Sequence, residues 1–215
     1  MPVVTALRAT RRGHVAVHVD GEFVCAVSDM LVARWRLHTG RELDEAALEE
    51  LRTQASSELV RADAYRLLGH RARSREELRR RLLQKDHHPG AVSAALDSLT
   101  ADGLLDDAAF ARSYVADKRR LAGWGTERIR RGLSALGVEQ AEIDGALRPA
   151  AAEDDAADEL ERAVAVLTRR GAPEAPLEAA RRRAYQALLR RGFASGVAYA
   201  AVLAWSNEET GDPQG

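Results

Sequence analysis

The chain has 215 residues, 46% of them hydrophobic, with 32 Lys+Arg against 33 Asp+Glu and a formal net charge of −1. This is enough apolar material for one elongated body or two small domains, and the overall charge by itself selects no partner. With Cys25 as the only cysteine no intrachain disulfide can form, and no apolar run approaches the roughly 18 residues of a membrane span, so a soluble, cytoplasmic monomer is expected.

Residues 1–27 read as strands. Val3, Thr5 and Leu7 alternate with other residues, Arg11-Arg12-Gly13 makes a turn, and Val15, Val17 and Val19 alternate again. Two registers are open for the hairpin at Asp20-Gly21. A two-residue turn sets Val17 opposite Val24 and Phe23 opposite His18, whereas a three-residue loop sets Val17 opposite Phe23 and Val15 opposite Cys25. The second keeps one apolar face and is the one expected. Ser28 and Asp29 cap a short helix through Trp35, and Asp44 opens another to about Gln54. This β-hairpin/α module is expected to span 1–57.

From Glu58 onward the pattern is helical, punctuated by Gly and Pro. Unit one, 58–106, has helices over 58–70, 74–85 and 89–101. Ser74 and Glu77 form a capping box, Pro89 suits a first turn and Gly103 an exit. Unit two, 107–150, has helices near 107–121, 126–136 and 139–148, with Thr126 as N-cap and Gly137 as a stop. Unit three, 151–206, has helices near 153–170, 176–191 and 194–206, the first opened by Glu153-Asp154-Asp155. Asn207 to Gly215 is a polar tail expected to fray.

The units are copies of one another. Leu78-Arg79-Arg80-Arg81-Leu82, Ile129-Arg130-Arg131-Gly132-Leu133 and Ala180-Arg181-Arg182-Arg183-Ala184 follow at a constant spacing of 51 residues. Val92 and Leu96 return as Ile143 and Leu147. In unit three the register slips, as if its second helix had gained nearly a turn. Leu78 and Leu82 define an apolar stripe, Arg80 lies across the helix from it, and Arg131 and Arg182 repeat that position. Residues 61–131 hold 16 Lys+Arg against 10 Asp+Glu, while 151–215 hold 8 against 11, so a basic middle can bind a polyanion locally. Exposed helix positions are commonly Arg, and Glu76 and Glu127 could simply pair with these; recurrence of the position favours a binding role.

No catalytic, metal or cofactor constellation emerges. His14 and His18 stand about 13 Å apart on a strand, His87-His88-Pro89 reads as a solvated turn, and Cys25 as a small core residue. Asp106-Asp107 caps a helix. Gly123-Trp124-Gly125 lacks the Gly-Lys-Ser/Thr of a phosphate loop. Trp124, between Lys118-Arg119-Arg120 and Arg128, could stack on a base, but a plug between the first two helices of unit two is favoured. Phe110 and Tyr114 are core. Three-helix units also invite comparison with helix-turn-helix readers, yet the helix over 75–85 has little of the Asn, Gln and Ser content of base-edge readout. Its arginines are phosphate-type contacts, so any nucleic-acid binding, to single strands or to duplex, is expected to lack sequence preference.

Three motifs together carry a resemblance: Ser74-Arg75-Glu76-Glu77-Leu78, then Gly103-Leu104-Leu105-Asp106-Asp107-Ala108-Ala109-Phe110-Ala111, then Gly125-Thr126-Glu127-Arg128-Ile129. In order and spacing, over residues 58–205, the chain resembles the RecX family, regulators of the RecA recombinase. Residues 1–57 resemble the β-rich N-terminal extension of some members, and unit three matches least. The resemblance implies a mainly α fold of three tandem three-helix repeats in an elongated, curved array behind the N-terminal module. It also implies a non-enzymatic inhibitor that binds the RecA–single-stranded-DNA filament, and a family without catalytic residues or a cofactor. Candidate contacts to RecA or DNA are Arg79, Arg80, Lys118, Arg119, Arg120, Trp124, Arg128, Arg130, Arg131 and Arg182. The alternative class is a helix-turn-helix transcriptional regulator whose N-terminal module senses or dimerises.

Overall fold

The computed structural model describes residues 1–10, 13–148, 154–171 and 176–207. The Arg11-Arg12 part of the expected first turn, Glu153 together with the side chains of Asp154 and Asp155 expected to cap there, and the tail beyond Asn207 lie outside the described residues. Helix dominates, preceded by one small sheet, and the chain divides into two units, Met1–Leu105 and Asp106–Gly215.

The first unit opens with an antiparallel meander of β1 (Val4–Ala9), β2 (Val15–Val19) and β3 (Glu22–Val27) in the order β1-β2-β3. The expected three-residue loop does not form. Asp20 and Gly21 take φ of 50° and 90° and make a two-residue turn, so Val19 faces Glu22 and His18 faces Phe23. The one-sided apolar face is recovered by other means: Val24 is an extra residue in β3, a bulge after which Val17 faces Cys25 and Val15 faces Val27. Val17, Val19 and Val27 are thereby buried, while Phe23 is left exposed with its ring edge-on to His18.

Ser28 caps α1 (Asp29–Arg34) by accepting from the Leu31 N–H, and its hydroxyl donates to Glu58 at 2.6 Å. Asp44 caps α2, which runs from Glu45 to His70 without a break. The helix expected to stop near Gln54 and the one expected to start at Glu58 are therefore one helix, about 39 Å long. Its first half packs Leu48, Leu51 and Ala55 on the sheet; its second half gives Val60 and Ala64 to the next core. Ser56 and Ser57 do not interrupt it, because the Ser57 hydroxyl donates back to the Thr53 carbonyl one turn earlier.

Three further cores follow in chain order. Around α3 (Arg75–Leu83) and α4 (Pro89–Ala101), Leu78, Leu82, Val92, Leu96 and Leu99 are sealed from solvent together with the end of α2. In the second unit, α5 (Asp107–Ala122), α6 (Thr126–Ala135) and α7 (Gln140–Leu147) enclose Ala111, Val115, Ile129, Leu133, Ile143 and Leu147. The last core joins α8 (Asp154–Thr168), α9 (Leu177–Arg190) and α10 (Ser195–Asn207) around Leu167, Leu188, Phe193 and Trp205. The second helices start at Arg75, Thr126 and Leu177, keeping the 51-residue spacing of the sequence. α9 has 14 residues against 9 in α3 and 10 in α6, which is the additional turn the register slip implied.

Candidate interaction surface

α3 begins where Ser74 Oγ accepts from the Glu77 N–H at 3.1 Å, with Glu76 and Glu77 at the positive end of the helix. Glu77 is buried, and its carboxylate is held by Arg71 at 2.5 Å and by Arg73. With that charge neutralised inside and Leu78 and Leu82 facing the core, Arg79, Arg80 and Arg81 are left on the exposed side. Arg79 makes two hydrogen bonds to Glu76, of 2.6 and 3.0 Å. Those bonds come first among the causes that hold the Glu76 carboxyl below its usual range, against the opposing effect of burial and with help from the charges of Arg79 and Arg80. Arg80 lies along its own helix, Nε at 3.4 Å from the Glu76 carbonyl and 3.6 Å from its carboxylate.

The equivalent helix in the second unit repeats part of this. Arg131 is exposed and its Nε donates to the Glu127 carbonyl at 3.3 Å, the same one-turn reach that Arg80 makes. Arg130, at the position of Arg79, is tied across to Asp144 of α7 and lowers the pKa of that carboxyl. Arg182 of α9 is exposed as the wheel predicted. Arg120 is exposed at the end of α5, 3.8 Å from Asp117, and Arg119 is half-buried.

Lys118, Trp124 and Arg128 are brought together, but as a packed joint. Lys118 Nζ stands 4.9 Å from the Trp124 ring and 5.1 Å from the Tyr114 ring, and the Arg128 guanidinium 4.1 Å from Trp124. Gly123 closes α5 with φ of 58°. Gly125, not Thr126, is the N-cap of α6. Its N–H donates to the Arg191 carbonyl at 2.9 Å, the Glu127 N–H donates to the Gly192 carbonyl at 3.1 Å, and the Thr126 N–H donates to Glu159 at 2.9 Å. The start of α6 is thus capped by the backbone after α9 and by a carboxylate of α8. Trp124 packs against the α5–α7 core beside this joint, which agrees with the plug reading and extends it to the following repeat.

Two groups escaped the sequence reading. Arg61 and Arg112, on the first helices of successive repeats, are also 51 residues apart and both exposed; following the period beyond the second helices finds them. The turn at His87 is not solvated. His87 Nε2 is 2.9 Å from Asp63, which also receives Lys85 Nζ at 3.1 Å and Arg66. Burial would raise the Asp63 carboxyl, but these partners outweigh it and hold it below the usual range. Nothing local in the sequence joins residues 63 and 87. Cys25 is half-buried, and burial pushes its thiol up to about 11, against the lowering charge of Arg52. Among the described residues no cluster of three or more His, Cys, Asp or Glu is placed to hold a metal, and no helix is long and apolar enough to cross a membrane.

Residues 61–99 match the family model described as RecX, first three-helix domain, and residues 106–147 match RecX, second three-helix domain. The regulatory protein RecX of Halorhodospira halophila (strain DSM 244 / SL1) is 38% identical over 164 residues, which are 75% of this chain and 97% of that protein. The regulatory protein RecX of Pseudomonas fluorescens is 44% identical over 89 residues, 41% of this chain and 57% of that one. A crystal structure of regulatory protein RecX shares the fold with a TM-score of 0.62 at 24% identity, over 92% of this chain and 97% of that one.

Proposed function

The chain belongs to the RecX family, and from that premise we propose that it is a non-enzymatic modulator of the RecA recombinase, chiefly an inhibitor. In this reading it binds the filament that RecA forms on single-stranded DNA. There it blocks growth or promotes disassembly, and so lowers ATP hydrolysis, strand exchange and RecA-stimulated repressor cleavage. The observation that carries the reading is the pair Arg80 and Arg131. They occupy the same position in successive repeats, are exposed, and each Nε reaches back one turn to a glutamate carbonyl, so the two guanidinium groups lie in the same way on the outer face of their helices. A filament is long, periodic and rich in phosphate, and a repeated cation suits it.

Arg79, Arg120 and Arg182, exposed around the same motifs, are proposed as supporting contacts. Lys118, Trp124, Arg128 and Arg130 are proposed to act by holding the surface in place, and Arg119 to contribute at its edge. The test is a titration of the protein into RecA on single-stranded DNA, with ATP hydrolysis as readout. Wild type should inhibit. The double variant Arg80→Ala/Arg131→Ala should inhibit much less, and each lost phosphate contact should lower the salt dependence by roughly one unit of slope. Inhibition undiminished in the double variant rejects the assignment. Tight, sequence-specific retention of duplex DNA with RecA unaffected would instead support a helix-turn-helix transcriptional regulator.

A further inference from the structure

The first unit contains a cavity of about 520 Å³ that the RecA reading does not use. Three segments build it. Thr10 directly follows β1, His14 directly precedes β2 and Ala26 lies in β3; Leu59, Ala62, Asp63 and Arg66 come from α2, and Lys85 and His87 from the connection between α3 and α4. A site of this volume falls within the range of small-molecule pockets, roughly 300–1,000 Å³. Its chemistry is two-sided. Ala26, Leu59 and Ala62 supply an apolar part, and the rest is polar.

The charges in the wall do not balance. Among the described lining residues Asp63 is the only carboxylate, yet Lys85 Nζ stands 3.1 Å from it, His87 Nε2 2.9 Å from it, and Arg66 pairs with it as well. One anion holding an ion pair together needs one cation; here two permanent cations and an imidazole converge on it. His14 adds a second imidazole to the wall. Asp63 thus gathers cationic groups that would otherwise splay into solvent, and leaves a net positive charge at the cavity.

We propose that this cavity, between the N-terminal sheet and the first repeat, binds a phosphomonoester group on a nucleotide-sized body. Lys85, Arg66 and the two imidazoles receive the phosphate, and the apolar part covers the rest of the ligand. Phosphate is the anion that matches several convergent N–H donors, since its three terminal oxygens accept from different directions. The ligand is either a free mononucleotide or the phosphorylated terminal nucleotide of a DNA strand. In both cases the N-terminal module and first repeat form one binding unit.

The full chain is titrated with AMP, adenosine, a 5′-phosphorylated oligonucleotide and its unphosphorylated counterpart. The His14 and His87 imidazole NMR signals and calorimetry are followed up to about 10 mM ligand, a range that still detects weak sites. AMP should shift both imidazole signals with one site per chain, and adenosine should not. Charge reversal in Lys85→Glu or Arg66→Glu should weaken this binding by about tenfold or more. Both side chains are at least a third exposed, so the fold does not depend on them. A response to AMP identifies a free nucleotide as sufficient; a response only to the phosphorylated strand identifies a DNA end. Equal binding of adenosine and AMP, equal binding of both oligonucleotides at this site, unmoved imidazole signals, or indifference to both charge reversals overturns the proposal.

Discussion

α3 and α6 start 51 residues apart and bury the same two positions, Leu78 and Leu82 in one, Ile129 and Leu133 in the other. Everything around those anchors differs. Position 74 is a serine that caps α3 with its own hydroxyl, while position 125 is a glycine whose helix is capped by the chain after α9. Position 77 is a buried glutamate gripped by two arginines, while position 128 is an arginine laid on Trp124. Only the outermost arginine, Arg80 or Arg131, is treated alike. A sequence period therefore marks where side chains point, and the neighbours decide which of them remain available to a partner.

The largest effect should come from making position 125 like position 74. A serine in place of Gly125 supplies the hydroxyl that α3 uses, but its Cβ would lie 2.4 Å from the Gly192 carbonyl carbon and oxygen and from the Phe193 nitrogen. Neither backbone can give way cheaply. Gly125→Ser should destabilise the second unit by about 3 kcal/mol or more, read by thermal or urea unfolding, whereas Ser74→Ala should cost about 1 kcal/mol in the first. A neutral Gly125→Ser would show that the two caps are interchangeable after all. Next come the anchors. Leu82→Ala and Leu133→Ala should each cost about 2–5 kcal/mol. At the matching place in α9 the side chain is already Ala184, and Ala184→Gly should cost only about 1 kcal/mol. Equal losses at all three would mean that the third repeat is packed as tightly as the first two.

Local signals in the sequence located most helices to within a residue or two, because caps and apolar periodicity act over one or two turns. Ser28, Asp44, Ser74 and Asp106 all cap where their side chains suggested. Three features needed non-local information. The break expected after Gln54 is absent because one helix serves two cores, its first half packing on the sheet and its second half giving Val60 and Ala64 to the first repeat. The hairpin register turned on the bulge at Val24, which reconciles the preferred Asp-Gly turn with a one-sided core. The role of Gly123-Trp124-Gly125 depends on Gly192, a residue distant in sequence that approaches only when two repeats pack. Of the candidate contacts, the outward arginines were legible from the helical wheel. The immobilisation of Lys118, Arg128 and Arg130 was not: Lys118 and Arg128 are held by the ring of Trp124, whose position depends on how the α5–α6 connection packs, and Arg130 by a carboxylate of α7.

The smallest effect tests the arginines just inside the exposed pair. Arg79 and Arg130 sit at equivalent positions, but Arg79 bonds a glutamate of its own helix and Arg130 an aspartate of the next. Both carboxyls are held below their usual range, Glu76 mainly by hydrogen bonds from Arg79 and Asp144 mainly by the bond from Arg130, with Gln140 second. A depressed folded-state pKa favours folding above the unfolded value, about 4.3 for Glu and 3.9 for Asp, and that contribution is lost as pH falls through the folded one. Both pairs lie at the surface, so the change in stability should be slight; the carboxyl titration itself is the sensitive readout. Followed by carbon NMR, Arg130→Gln should raise the Asp144 midpoint, and Arg131→Gln should leave it in place. Arg79→Gln should raise the Glu76 midpoint, and Arg80→Gln should raise it less, since the charge of Arg80 is the smaller cause after the hydrogen bonds and charge of Arg79. If Arg131→Gln moved Asp144 as far as Arg130→Gln does, Arg131 would be engaged with α7, and its equivalence to Arg80 in the outward helix position would fail.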